Sequence, residues 1–304
     1  MKVFNNINIT KKFKNAVIAV GNFDGVHLGH KKVLKEAFKK AKQTKRKLGL
    51  LTFEPIPVMF FNKQIKNHRL CLINQKKILL KKEKLDFVII QKFDRKFSKL
   101  NYQKFIKKIL FRKINCSYLY VSKNFKFGNK RGGDVRKLIK YEKKYNYKTI
   151  ITKPFKKDNK IISSTMIRNM LSKGQIQKAN KLLGRNWEIE GKVVRGDKRG
   201  RKIGFPTCNL NLANYKIPRF GVYSVKVRIN KSIKKGIANV GYRPTFNGNK
   251  LLLEVNIFGL KKNLYNKNIN VIFSNFIRPE KKFKNLLELK SQIKKDIIKA
   301  KKNV

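Results

Sequence analysis

An α/β half followed by a small antiparallel β-barrel is the architecture this sequence predicts, and three observations predict it. Short apolar runs alternate with amphipathic segments as far as about residue 151, the texture of βα units around a parallel sheet. Beyond Trp187, glycine and β-branched residues become frequent and alternating strands follow at hairpin-like intervals, the texture of a barrel. The 304 residues suit two domains, each long enough to bury its own core.

In the first half the expected strands are Ala16–Val20, Leu48–Phe53, Phe87–Ile90, Tyr118–Val121 and Thr149–Ile151. Between the first two lies Lys31–Ala41, where Val33, Leu34, Ala37, Phe38 and Ala41 recur at helical spacing and form one apolar face. Short helices near Ser164–Leu171 and Gln175–Leu183 close this half before Gly184. Strands are then expected at Trp187–Val194, Val222–Ile229, Ile237–Val240, Leu251–Phe258 and Ile269–Phe273, with a covering helix at Leu286–Ala300. The domains are accordingly 1–185 and 186–304. The junction is too short and too ordinary in composition for a flexible tether.

Composition excludes several classes. Hydrophobic residues at 41% and aromatics at 11%, with 7 prolines, exclude a disordered chain. Lys and Arg number 77 against 16 Asp and Glu, a formal charge of +61. Alone, that charge points to a polyanion partner, and it is the sole support for a nucleic-acid-binding reading. The lysines are spread along the whole chain without a localised patch, so they read as solvated faces, and no specific nucleic-acid partner is expected. Cys71, Cys116 and Cys208 are widely spaced and form no C-x-x-C pair, which indicates neither a disulfide framework nor a zinc site. The N-terminus lacks an apolar leader core, and Ala16–Val20 falls far short of the roughly 18 residues of a membrane span. A cytoplasmic protein without membrane association is expected; the oligomeric state is not written in the sequence.

The first strand runs into GNFDGVHLGH, with glycines at 21, 25 and 29, and then into a helix beginning near Gly29. Such a turn gathers backbone N–H groups and the positive end of a helix dipole at one point, which suits a phosphate. His27 and His30, two of three histidines in the chain, bracket that point and can both donate to one phosphate as charge builds on its oxygens. His68 has no such context. Asp24 in the same turn has two possible roles, helix cap or orienter of amides, which sequence does not separate. Further along, Ser163, Ser164 and Thr165 precede a helix carrying Arg168, offering hydroxyls, free amides and a fixed cation to a triphosphate tail.

In the second half, glycines at 191, 196, 200 and 204 permit backbone turns that could wrap a phosphate without a Walker-type Lys-Ser/Thr pair. In Pro206-Thr207-x-Asn209 a hydroxyl and an amide oxygen two residues apart on an extended segment point to one side. They make a poor metal cage alone but an adequate one for Mg²⁺ when ATP phosphates and water complete the octahedron. In LLLEVNIF, alternation puts Leu253, Val255 and Ile257 on one face and Glu254 and Asn256 on the other, where the carboxylate can line a cleft.

GNFDGVHLGH resembles the G-x-F-D-G-x-H-x-G-H motif of bacterial bifunctional riboflavin kinase/FMN adenylyltransferases, commonly called FAD synthetases. LTFEPIP at 51–57 resembles that family's TFEPHP segment, VSKNFKFGNKRGGD at 121–134 its V-G-x-[DN]-F-x-F-G-x-x-R-x-G-D loop, and ISSTMIR at 162–168 its I-S-S-T-x-I-R. GKVVRGDKRGRKIGFPTCNLNL from 191, NVGYRPTF at 239–246 and IRPEKKF at 277–283 resemble blocks of its riboflavin kinase domain. The resemblance spans nearly the whole chain, in order.

It implies a Rossmann-like nucleotidylyltransferase domain with a parallel sheet and flanking helices, followed by a riboflavin kinase barrel with a C-terminal helix. The substrates and products implied are riboflavin, FMN, FAD and ATP, with Mg²⁺ as cofactor. Glu254 would be the kinase base, with Thr207 and Asn209 holding the metal and Gly196 and Gly204 near the nucleotide. His27 and His30 would serve adenylyl transfer, with Gly21, Asn22, Phe23, Asp24, Gly25, Asn124, Ser164, Thr165 and Arg168 binding nucleotide. Ile56 replaces the usual histidine of E-P-H-P and Met166 an arginine common in I-S-S-T-R-I-R. Both changes remove polar contacts and are expected to weaken adenylyl transfer, and at the limit to leave a monofunctional kinase.

Overall fold

The computed structural model describes residues 1–157, 160–196, 199–212, 214–245, 248–260 and 262–303, with backbone alone at 199, 243–245 and 248–250. They form two compact units, one of Met1–Lys66 with Ile73–Ser163 and the other of Asn67–Leu72 with Ser164–Val304.

The first unit is built on six parallel strands: β1 (Lys2–Phe4), β2 (Val17–Val20), β3 (Leu48–Glu54), β4 (Phe87–Lys92), β5 (Tyr118–Ser122) and β6 (Lys148–Thr152), in the order β1-β4-β3-β2-β5-β6. Its central strands read as continuous apolar runs because both faces of the sheet are covered. Ile18, Leu51 and Ile89 enter the core on one face, and Val17, Leu50 and Val88 the core on the other. Full burial of each such side chain contributes about 1.5–3 kcal/mol. Helix α1 (Leu28–Gln43) packs its Leu34, Ala37 and Ala41 stripe on the second face. Helices α2 (Pro57–Phe61) and α3 (Ile73–Lys81) follow β3.

All five expected strands are present. The sixth, β1, is three residues long, partly exposed and pairs only at the sheet edge with β4, too little pattern to stand out in sequence.

The second unit holds helices α4 (Ser164–Ser172) and α5 (Ile176–Leu183) and a closed barrel. The barrel strands are β7 (Glu188–Val194), β8 (Cys208–Asn211), β9 (Gly221–Ile229), β10 (Ser232–Thr245), β11 (Gly248–Ile257) and β12 (Asn268–Arg278), in the order β7-β8-β11-β10-β9-β12. Sequence patterning supplied five of these; β8 is the closing strand, four residues whose only fully buried hydrophobic is Leu210. Trp187, Tyr223, Val225, Leu253, Val255, Val271 and Phe273 are fully buried. Helix α6 (Leu286–Lys302) lies on the wall through Ala300 and the partly buried Ile297, against Val222 and Ile237.

The segment Asn67–Leu72 is threaded into this second unit. Its His68 and Arg69 amides donate to the Asn214 carbonyl at 3.0 and 2.9 Å, and its Leu70 carbonyl accepts the Trp187 indole N–H at 2.8 Å. No sequence feature announced this strap, because its pairing is to backbone and to a residue more than 100 positions away.

Candidate active sites

In the sheet unit, the chain leaves β2 and proceeds through β3 to β4 on one side, then returns to β5 on the other. The switch point of the sheet therefore lies between β2 and β5. In open parallel sheets a ligand crevice forms there, outside the carboxyl ends of the strands. The turn from Gly21 to His27 occupies that position. Three residues of it take left-handed backbone conformations: Phe23 (φ 46°), Gly25 (φ 79°) and Val26 (φ 40°). For the two non-glycine residues this costs about 1–3 kcal/mol each, a cost that surrounding contacts must over-determine.

Those contacts are present. The Asn22 carbonyl accepts hydrogen bonds from Thr52 Oγ1 at 3.0 Å and Lys76 Nζ at 2.9 Å. The rings of Phe23, His30 and His27 stack in sequence, with centroids 4.6 Å apart for Phe23–His30 and 3.7 Å for His27–His30. His27 caps α1, its Nδ1 accepting the His30 amide proton across 3.4 Å. Gly29 sits at a close approach, since a Cβ there would stand 3.1 Å from the His27 ring and 3.4 Å from the Ile162 carbonyl. Asp24 is 1% exposed. The turn thus brings Gly21, Asn22, Phe23, Asp24, Gly25, His27 and His30 together at a helix start, the arrangement suited to an anion.

Asn124 lies exposed in the turn after β5, the neighbour of β2 on the same sheet edge. Ile56 precedes α2 and is 2% exposed, so this departure from the family pattern is a packed apolar residue. Ser164, Thr165, Met166 and Arg168 belong to the second unit, on the first turns of α4. Arg168 donates its Nε–H to the His68 carbonyl at 2.8 Å.

On the barrel, β8 pairs with β11 and β11 with β10, so Asn209, Glu254 and Asn239 sit opposite one another in one row. Cross-strand partners point to the same face. The neighbours Leu210, Leu253 and Val255 are fully buried and point into the barrel, so this row is on the outer wall. Asn209 is nevertheless only 7% exposed, because the chain at Gly196 closes over it: a Cβ on Gly196 would stand 2.0 Å from the Asn209 amide nitrogen. The Asn209 Oδ1 is buried and has no hydrogen-bond partner among the described residues.

A polar cleft opens at this point, lined by Gly196, Arg201, Pro206, Thr207, Asn209 and Tyr265. Gly204 takes φ 89°, and a Cβ on Gly200 would collide with the Phe205 carbonyl at 2.4 Å. The Pro206 carbonyl accepts the Asn256 side-chain amide at 2.7 Å, which ties the Thr207 segment to the strand carrying Glu254. At the far end of the row, the Asn239 amide donates to Glu280 at 3.3 Å. Arg201, Tyr265, Asn239 and Asn256 were not singled out as site residues in the sequence. Arg201 lies in the GRKIGFPT block, whereas Tyr265 carried no signal at all. Asp197 and Lys198 of the Gly-rich loop, and Phe246 of the 239–246 block, lie outside the described residues.

The donor set at the cleft decides what cation it fits. Among the described residues no cluster of three or more His, Cys, Asp or Glu side chains could hold a metal. The unpartnered Asn209 oxygen and the Thr207 hydroxyl are neutral hard donors, a set that fits Mg²⁺ with most of its coordination left to phosphate and water. The intervening Cys208 alternates to the opposite side of β8 from Asn209, and burial pushes its thiol above its ordinary value.

A glycine-rich turn at the switch point of a parallel sheet, and a cleft under a second glycine-rich loop on a barrel wall, are two separate places suited to phosphate, the class of site found in nucleotide-using proteins. The FAD synthetase family model matches residues 9–166 and the riboflavin kinase family model residues 183–304. The chain is 40% identical, over 98% of its length and 97% of the relative's, to the bifunctional riboflavin kinase/FMN adenylyltransferase of Buchnera aphidicola subsp. Schizaphis graminum. Identity is 39% to that of Haemophilus influenzae, over 97% and 96% of the two chains, and 35% to that of Escherichia coli K12, over 94% and 92%. The fold is similar, with a TM-score of 0.86 at 28% identity over 98% of both chains, to a crystal structure described as a macrolide-efflux protein from Streptococcus pneumoniae. That description stays with that protein; among the described residues here, no helix is long and apolar enough to cross a membrane.

The chain belongs to the bifunctional riboflavin kinase/FMN adenylyltransferase family. It is an ATP-using enzyme that phosphorylates riboflavin to FMN in its C-terminal part and adenylylates FMN to FAD, with release of pyrophosphate, in its N-terminal part.

Proposed function

We propose that the two reactions are carried by two separate residue sets, with functional domains at 1–185 and 186–304. At the barrel, Glu254 accepts the proton of riboflavin's ribityl 5′-hydroxyl as that oxygen bonds to the γ-phosphorus of ATP; the bond to the β,γ-bridging oxygen breaks and ADP leaves. Thr207 and Asn209 would hold Mg²⁺, which would supply neutralisation of the charge on the phosphates. Gly196 and Gly204 let the loop approach the nucleotide without side-chain interference. The observation that carries this reading is the placement of Glu254 directly across from Asn209, whose oxygen is buried and, among the described residues, unpartnered, in the cleft it shares with Thr207.

At the sheet switch point, an oxygen of the FMN phosphate attacks the α-phosphorus of a second ATP and pyrophosphate departs. His27 and His30 donate hydrogen bonds to the developing charge, and the amides of Asn22, Phe23, Asp24 and Gly25 cradle phosphate, with Gly21, whose own amide donates to the Leu51 carbonyl at 3.1 Å, opening the turn. The family resemblance assigns nucleotide-binding roles to Asn124 and, separately, to Ser164, Thr165 and Arg168. No covalent enzyme intermediate is needed, since positioning and electrostatics supply the barrier reduction. We assign the enzyme to the cytoplasm, with small-molecule partners, no specific nucleic acid and no membrane association.

Paired variants test the assignment. Glu254→Gln should lose FMN formation from riboflavin yet still convert added FMN to FAD. His27→Ala with His30→Ala should do the reverse. Near-normal kinase turnover in Glu254→Gln, or FAD formation by the double histidine variant, would remove those residues from the mechanism.

A further inference from the structure

Lys76 on α3 is 1% exposed in a chain whose other lysines are almost all at the surface. A lysine is almost never fully buried unless paired, because its ammonium loses water that an apolar site does not replace. Its hydrogen bond is to the neutral carbonyl of Asn22, and among the described residues no carboxylate forms an ion pair with it. A leucine or methionine would fill the same volume at lower cost. The ammonium is therefore kept for what it does at Asn22.

That carbonyl lies inside the phosphate-cradling turn. Thr52, 0% exposed, donates to it as well, so two donors from separate elements fix one peptide group. The Asn22–Phe23 peptide is planar, and in a trans peptide the N–H points opposite to the C=O. Holding the Asn22 oxygen toward Lys76 and Thr52 therefore aims the Phe23 N–H the other way, out of the turn. Phe23 is also the first of the left-handed residues, at φ 46°, and its ring begins the stack that runs through His30 to His27.

We propose that Lys76 is a positioning residue of the adenylyl-transfer site: its ammonium, acting through the Asn22 carbonyl and with Thr52, sets the peptide that presents the Phe23 amide and the His30–His27 stack to the ATP phosphates. This rests on the assignment of the Gly21–His30 turn to adenylyl transfer. The ammonium also leaves a positive charge one peptide behind the turn, attractive to polyphosphate in a site shielded from bulk water.

The test is steady-state kinetics of the full-length Lys76→Met variant with FMN and MgATP. A rise of about tenfold or more in the ATP KM for FAD formation is expected, as for loss of a charge-assisted contact. The FMN KM and the riboflavin kinase rate should stay near wild type. An unchanged ATP KM in the folded variant would overturn the proposal, as would an equal loss of both activities. Should Lys76→Met fail to give a cooperative melt, Thr52→Val decides. It removes the companion hydrogen bond at nearly constant shape and should raise the same KM severalfold, whereas an unchanged value overturns the proposal. The double histidine variant separates the two levels. If it abolishes FAD formation while Lys76→Met and Thr52→Val behave as wild type, the Lys76 role alone is refuted; if it retains FAD formation, the assignment of the turn falls.

Discussion

Asn209 on β8 and Glu254 on β11 are direct cross-strand partners, so an amide that a glycine loop buries and a half-exposed carboxylate stand side by side on the outer wall of the barrel. The barrel interior is closed by Leu210, Leu253 and Val255, each fully buried, and the proposed kinase site draws on the outward-pointing alternates. Removing the Asn209 oxygen should weaken metal use before it weakens flavin binding. Asn209→Ala is expected to raise the Mg²⁺ concentration for half-maximal kinase rate by about tenfold, with FAD formation from FMN unaffected. A Mg²⁺ titration of initial FMN production reads this out, and an unshifted midpoint would contradict it.

Ile56 stands where the family pattern has histidine, and it is 2% exposed. Restoring the family residue should not restore a polar contact cheaply, because the ring would enter a packed site. Ile56→His should destabilise the protein by about 1–3 kcal/mol without raising the rate of FAD formation. Thermal melting beside an FMN-to-FAD assay checks both, and a faster variant with an unchanged melt would show that the substitution had weakened the site.

The barrel's C-terminal helix is bolted to its last strand by a buried pair. Asp296, 2% exposed, receives the Arg278 guanidinium at 2.8–3.1 Å and the Gln292 amide at 2.9 Å. Asp296→Ala deprives that guanidinium of its carboxylate, while its contact with the Pro279 carbonyl at 2.9 Å and its partial exposure to water remain, and should cost about 1–3 kcal/mol of stability in this unit. The single tryptophan, Trp187, is buried in the same unit, so its emission reports the loss in a urea titration. A variant with an unchanged midpoint would contradict the assignment.

Cys208 lies between the two proposed metal ligands, half-buried, and desolvation raises its pKa. A raised value means the thiol stays protonated at neutral pH and forms thiolate only as pH climbs. Alkylation by iodoacetamide at pH 7 should therefore be slower at Cys208 than at a free thiol and accelerate with pH. Mass spectrometry of labelled peptides measures it; labelling as fast as that of an unhindered thiol would contradict the burial argument.

Much of this was legible in the sequence, for identifiable reasons. Sheet strands buried on both faces announce themselves as unbroken apolar runs, and Leu253-Glu254-Val255 announces which side of its strand faces the core. The histidine turn stood out because its glycines and two of the three histidines fall within ten residues. The closing strand β8 was read only as an extended segment, since four residues carry no periodicity of their own. Lys76 could not be distinguished: among so many lysines, burial is decided by how α3 packs behind Asn22, which no local pattern encodes. The strap at Asn67–Leu72 was invisible for the same reason, its partners Trp187 and Asn214 being remote in the chain.

The most direct test of the account as a whole is a time course on the wild-type protein with riboflavin, ATP and Mg²⁺, with flavins separated by chromatography and a parallel reaction started from FMN. Two competent sites predict FMN rising first and then converting to FAD, and FAD forming without delay from FMN. FMN accumulating with no FAD from either start would contradict it.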